Sequence, residues 1–301
     1  LTGAGHSTAV LRATSYSSPM AAFQDEMAGI GYYQFIEKLE KDFDQQKDLI
    51  VQELRKLMKM ILRPENFMIS YTGERESLEE VKKLAAHIRQ GLNTEPVEKS
   101  EKKLICTRKN EGFKTSGQVQ FVAQTGNFKK KGLEYTGALD ILKVILSYDY
   151  LWMNLRVKGG AYGCMSGFKR NGESYLVSYR DPHLKRTLEV YQGVVDYIRD
   201  FQADERDMTK YIIGTISSKD VPKTPQMKGS VSKTAYFCGV TEEMLQKERD
   251  QILNASVEDI RALADIVKAV LDAEQICVVG SESKVEGASD ILMEVKSLIN
   301  C

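Results

Sequence analysis

Histidine is scarce: only His6, His87 and His183 occur in 301 residues. No two stand four apart, and none sits beside a glutamate at zinc-ligand spacing, so the chain carries no zinc-peptidase motif of its own. The cysteines Cys106, Cys164, Cys238, Cys277 and Cys301 are odd in number and form no close pair. That fits buried or incidental thiols in a reducing compartment better than a disulfide framework or a zinc knuckle. Charge of one sign is absent too, since 42 basic residues balance 42 acidic ones. Nothing in that balance draws the chain to nucleic acid or to an anionic membrane. No run approaches the roughly 18 consecutive apolar residues of a membrane span. There is no Gly-x-Ser-x-Gly elbow, and Lys158-Gly159-Gly160 lacks the spacing and the Lys-Ser/Thr ending of a phosphate loop. By itself the chain shows no complete active site. It opens at Leu1 with no signal-like segment, as a processed product or an excised piece would.

What is present is an ordinary soluble composition, 42% hydrophobic and 28% charged, at a length that predicts about two domains. Residues 1–20 are rich in Ser, Thr, Gly and Ala, and a helical pattern follows from Met20 to Leu39. Leu49, Ile50, Leu54, Leu57, Met58 and Ile61 predict an amphipathic helix over 46–62, stopped by Pro64. Phe67–Thr72 reads as a buried strand, and Ser77-Leu78-Glu79-Glu80 opens another helix. Periodicity is lost near residue 91. The polar run 98–103 is expected to be a linker, separating a domain over 1–97 from one over 104–301. In the second domain 118–124 reads as a half-exposed strand, with Val119, Phe121 and Ala123 inward and glutamines outward. A helix is expected over 136–150. Strands 161–168 and 174–180 are joined by the turn Lys169-Arg170-Asn171-Gly172. Asp181-Pro182 starts a further helix, others follow to about residue 271, Ile276–Val279 is a strand, and a helix over 285–299 closes the chain.

Between the 136–150 helix and the hairpin lies Leu155-Arg156-Val157-Lys158-Gly159-Gly160-Ala161-Tyr162-Gly163. Three glycines in five positions permit close backbone approach and unusual dihedrals. One reading is a tight turn with an ordinary surface arginine; the other is a site where a ligand comes close.

The end of the chain also repeats its beginning. Arg55 to Arg261 and Pro19 to Pro225 are offsets of 206, and Gly73 to Gly280 is 207. Each copy places a helix, a short strand, a glycine and a closing helix in that order. Two copies of one domain of roughly 200 residues are expected, the first lacking about its leading half.

Arg156-Val157-Lys158-Gly159-Gly160-Ala161-Tyr162-Gly163 resembles the C-terminal-half signature of the pitrilysin/insulinase superfamily of zinc metallopeptidases. Ser15-Tyr16-Ser17-Ser18 and Gly29-Ile30-Gly31-Tyr32-Tyr33 resemble its presequence-protease branch more narrowly. The resemblance implies an α+β fold of metallopeptidase-type α/β rolls, each an antiparallel-rich sheet with helices packed on one face. Residues 1–97 would be the trailing part of a third roll and 104–301 a fourth. It implies two halves closing around a chamber. Zinc would be held by the N-terminal half, with no cofactor bound by this part. Arg156 and Tyr162 would reach the substrate as catalytic groups, and Gly159, Gly160 and Ala161 would line its path. The implied partners are unstructured peptides and the N-terminal half of the same enzyme. The implied compartment is the cytoplasm in a bacterium, or the mitochondrial matrix or another organelle in a eukaryote. A homologue serving only as a structural or peptide-binding protein, with Arg156 and Tyr162 as peptide contacts, stands as the alternative.

Overall fold

The structure, a computed structural model, describes residues 2–97 and 104–299; the expected linker 98–103 lies outside the described residues. Contacts divide the chain into two compact units. One unit spans Leu1–Phe35, Leu104–Asp220 and Gln246–Cys301; the other spans Ile36–Lys103 and Val221–Leu245.

The first unit is built on a six-stranded mixed sheet. Its strands are β1 (Glu111–Thr115), β2 (Phe121–Asn127), β3 (Gly163–Phe168), β4 (Glu173–Tyr179), β5 (Gln275–Ser281) and β6 (Glu294–Ser297), in the spatial order β3-β4-β2-β5-β1-β6. β1 runs parallel to β5 and β6; the remaining pairs are antiparallel, with Ala123 opposite both Val177 and Cys277. β5 lies inside the sheet and is buried along its whole length, which suits its β-branched Ile276, Val278 and Val279. Side chains alternate between two cores. Val122, Leu176, Ile276 and Val278 enter one, and Phe121, Ala123, Val177, Cys277 and Val279 the other.

Both faces of the sheet are therefore covered, which corrects the expectation of helices on one face. Leu139, Leu142, Ile145 and Leu146 of the helix Ala138–Tyr148 pack on the first face, with Leu188, Val195, Ile260 and Val267 from later helices. The helix Gly5–Ser15 covers the other through Ala9 and Ala13. Small residues let it lie close: a Cβ at Gly5 would stand 2.3 Å from the Phe121 ring. The glutamines of β2 are corrected with it. Gln120 and Gln124 are buried, not exposed, and bond Ser281 N–H and the Leu271 carbonyl (3.0 Å each).

The helix Gly5–Ser15 is locked by charge as well as by packing. Arg12 donates Nε and one terminal nitrogen to Glu111 (2.6 and 2.9 Å) and the other to Asp25 (2.6 Å). Tyr16 and Lys296 add hydrogen bonds to the Glu111 carboxylate at 3.1 and 3.0 Å. Asp25 in turn accepts from the Ile30 and Gly31 N–H groups. Gly29 makes room for this, since a Cβ there would meet Asp25 Oδ1 at 2.2 Å.

Two other expected elements differ. The C-terminal helix over 285–299 is a short helix, Glu282–Glu286, followed by the edge strand β6. In the second unit Phe67–Thr72 forms no strand, and Met68, Ile69 and Tyr71 are exposed. The amphipathic helix is present as Phe43–Ile61, with none of its residues buried. Among the described residues no helix is long and apolar enough to cross a membrane.

Candidate functional site

The helix Ala138–Tyr148 is followed by a π-helical turn over Trp152–Val157, a rare local geometry that recurs at functional sites. The turn closes by wrapping its own end. Lys158 N–H donates to the Met153 carbonyl (3.0 Å), and Ala161 N–H to that of Leu155 (2.9 Å). Gly160 takes φ +79° there, and a Cβ on Gly159 would stand 2.4 Å from the Leu155 carbonyl oxygen. Ala161 is buried in the first core. Tyr162 is then pinned to the end of β4, its N–H shared between the carbonyls of Tyr179 (3.0 Å) and Arg180 (3.3 Å).

This folding brings Arg156 and Tyr162 together. The half-buried Arg156 guanidinium donates to the Tyr162 main-chain carbonyl. Its central carbon lies 4.4 Å from the Trp152 ring centroid and 5.3 Å from that of Tyr162. A guanidinium so placed gains from both ring faces and keeps further donors for a ligand. The Tyr162 side chain is 64% exposed, and its hydroxyl makes no hydrogen bond among the described residues. The pair thus presents a phenol and a permanent cation to solvent at one end of the sheet.

Of the five expected site residues, Arg156 and Tyr162 form one surface. Gly159 and Ala161 are buried and serve the turn; Gly160 is exposed beside the pair. Gly159→Ala should cost about 1–3 kcal/mol, because backbone rather than a flexible side chain must give way; urea denaturation measures it. Trp152 and Tyr179 were missed. Trp152 could have been found from its place four residues before Arg156, where helical side chains meet. Burial pushes the Cys164 thiol up to about 11 despite the Arg156 charge nearby, which disfavours the thiolate at neutral pH. Among the described residues no group of three or more His, Cys, Asp and Glu could hold a metal ion.

The model of the PreP C-terminal domain matches residues 110–283, a span that includes Arg156 and Tyr162. The chain belongs to that family. It is 42% identical over 295 residues to protein HypA of Clostridium perfringens, covering 98% of this chain and 30% of that protein. Presequence protease 1 (chloroplastic/mitochondrial) of Arabidopsis thaliana is 30% identical over 294 residues, covering 96% of the chain and 27% of that protein. The PreP-like chain thus spans less than a third of the length of these curated relatives. Among solved structures, a peptidase M16 inactive domain from Pseudomonas fluorescens aligns with TM-score 0.46 at 17% identity, over 68% of this chain and 51% of that one. Pitrilysin aligns with TM-score 0.43 at 13% identity, over 80% and 31%. Membership rests on the sequence matches.

Proposed function

We propose that this chain is the C-terminal, non-metal-binding part of a zinc-dependent endopeptidase that degrades short unstructured peptides, with Arg156 and Tyr162 as its contribution to the reaction. The tandem arrangement of a truncated third roll and a fourth belongs to this reading. What carries it is the meeting of an exposed, unpartnered phenol with a ring-stacked guanidinium on a turn inside the family match. Arg156 offers a planar fork of donors to a peptide carbonyl. As a peptide bond is attacked, its carbonyl oxygen gains negative charge. A phenol O–H already in place then stabilises the transition state more than the ground state. The metal that the family name implies would be bound elsewhere in the full-length enzyme. This part's own task is to bind and orient the peptide and to donate to its oxygen.

The test compares two preparations on a fluorogenic unstructured peptide. The full-length protein containing this chain should cleave it and lose activity on chelation. The 301-residue chain alone should leave it intact. Zinc-dependent cleavage by the isolated chain would sink the reading. Binding without cleavage by the full-length protein would move a purely peptide-binding role to the front.

A further inference from the structure

The ring contacts do not stop at Tyr162. Its ring centroid lies 5.8 Å from that of Tyr179, and Tyr179 lies 5.0 Å from His6 in an edge-on contact. His6 stands on the helix Gly5–Ser15 and lines a cleft of about 210 Å³ between that helix and the β3–β4 hairpin. Leu11 from the helix, Met165 from β3 and Tyr175 from β4 give the cleft its apolar walls, the hairpin's Lys169 and Glu173 add a charged pair to the lining, and Gln24 stands exposed at its rim. Met165, Tyr175 and Tyr179 project from the same face of the sheet, the face on which Tyr162 leans. The Tyr179 and His6 rings therefore link the Arg156–Tyr162 pair to the cleft.

We propose that this cleft is a side-chain subsite for a large apolar residue of an extended peptide held at Arg156 and Tyr162. The inference rests on the peptide-binding reading above and adds to it a specificity. Met165 lies three residues beyond Tyr162, roughly 10 Å along an extended strand. An extended peptide covers that distance in about three residues, so the favoured apolar residue stands two to four positions from the bond at Tyr162. The volume suits one aromatic or leucine-sized side chain. The two charged residues of the lining, Lys169 and Glu173, are already paired with each other (3.3 Å), so a charged guest would lose its hydration without gaining a free partner.

The chain contains its own reporter, because its single tryptophan is Trp152, stacked on Arg156. Unstructured Ser/Ala peptides carrying one phenylalanine, stepped along the sequence, are titrated into the chain while Trp152 fluorescence is followed. One position of the phenylalanine should tighten binding roughly 10- to 100-fold over the peptide without it, the scale of burying one large apolar side chain. Gln24→Tyr, which fills the cleft from its exposed rim, should reduce that gain to about twofold or less, with the far-UV circular dichroism of the wild type. Equal affinities for every phenylalanine position would overturn the subsite and leave peptide binding standing. So would a positional preference that survives in Gln24→Tyr. If no peptide perturbs Trp152 at all, the peptide-binding reading falls and the subsite falls with it.

Discussion

Arg12→Ala should lower the stability of the sheet-containing unit by about 3–5 kcal/mol, the usual consequence of stripping one partner from a buried ion pair. Glu111 and Asp25 lie within 2.6 Å of the guanidinium, are 0% and 3% exposed, and would be left as buried charges facing each other's side of an empty site. The loss would reach beyond the pair. Asp25 holds the turn at Ile30 and Gly31, and Arg12 holds the helix that covers one face of the sheet. Arg12→Lys should recover only part of the loss, because one ammonium cannot bridge two carboxylates as a planar fork does. Urea denaturation measures both variants, and a loss under about 1 kcal/mol for Arg12→Ala would show that the network is replaceable by water.

The same network sets an acid limit. Burial alone would raise the Glu111 carboxyl, but the hydrogen bonds and charge of Arg12, and then of Lys296, hold it down at about 2 from an ordinary 4.5. A carboxyl depressed by folding stabilises fully above its unfolded pKa and loses that contribution as pH falls through the folded one. Stability should therefore decline between about pH 4.5 and pH 2. Denaturation midpoints at pH 6 and pH 3 should differ in the wild type, and differ less once Arg12 is alanine. An acid dependence that is the same in both proteins would place its origin elsewhere.

The hairpin was legible because its signals are local: alternating residues on either side of Asn171-Gly172, with Gly172 at φ +87°. The helix Gly5–Ser15 was not. It packs through Gly5, Ala9 and Ala13, and residues that small leave no apolar stripe in a sequence. Its purpose shows only when Arg12 finds Glu111, 99 positions away. The buried glutamines of β2 misled for a related reason. Alternation with polar residues reads as one wet face, whereas here Gln120 and Gln124 are buried beside backbone groups they bond. Phe67–Thr72 has strand composition, yet no partner strand adjoins it among the described residues. Strand propensity expresses fit to a neighbouring strand more than an intrinsic preference. At the site, spacing and resemblance together singled out Arg156 and Tyr162. The π-helical turn that makes them meet depends on hydrogen bonds that composition does not reveal.

Tyr162→Phe in the full-length protein should lower kcat for an unstructured peptide by roughly 10- to 1,000-fold, the range for losing one oxyanion donor, with little change in KM. The substitution is clean for a structural reason. Arg156 is bonded to the main-chain carbonyl of residue 162 and packs on its ring, and the ring rests on Tyr179; none of these contacts uses the hydroxyl. Phenylalanine keeps them all and removes the one group that faces solvent without a partner. A stability change beyond about 0.5 kcal/mol is therefore not expected. Arg156→Lys should act differently. It loses the guanidinium over the Trp152 ring and the nitrogen that bonds the Tyr162 carbonyl, so the position of Tyr162 loosens and KM rises along with the fall in kcat. If Tyr162→Phe cleaves at the wild-type rate, the phenol serves only as a packing ring, and the oxyanion role assigned to it is wrong. If kcat is kept and KM alone rises, Tyr162 binds the peptide equally in ground and transition states, and its hydroxyl belongs to recognition rather than to catalysis.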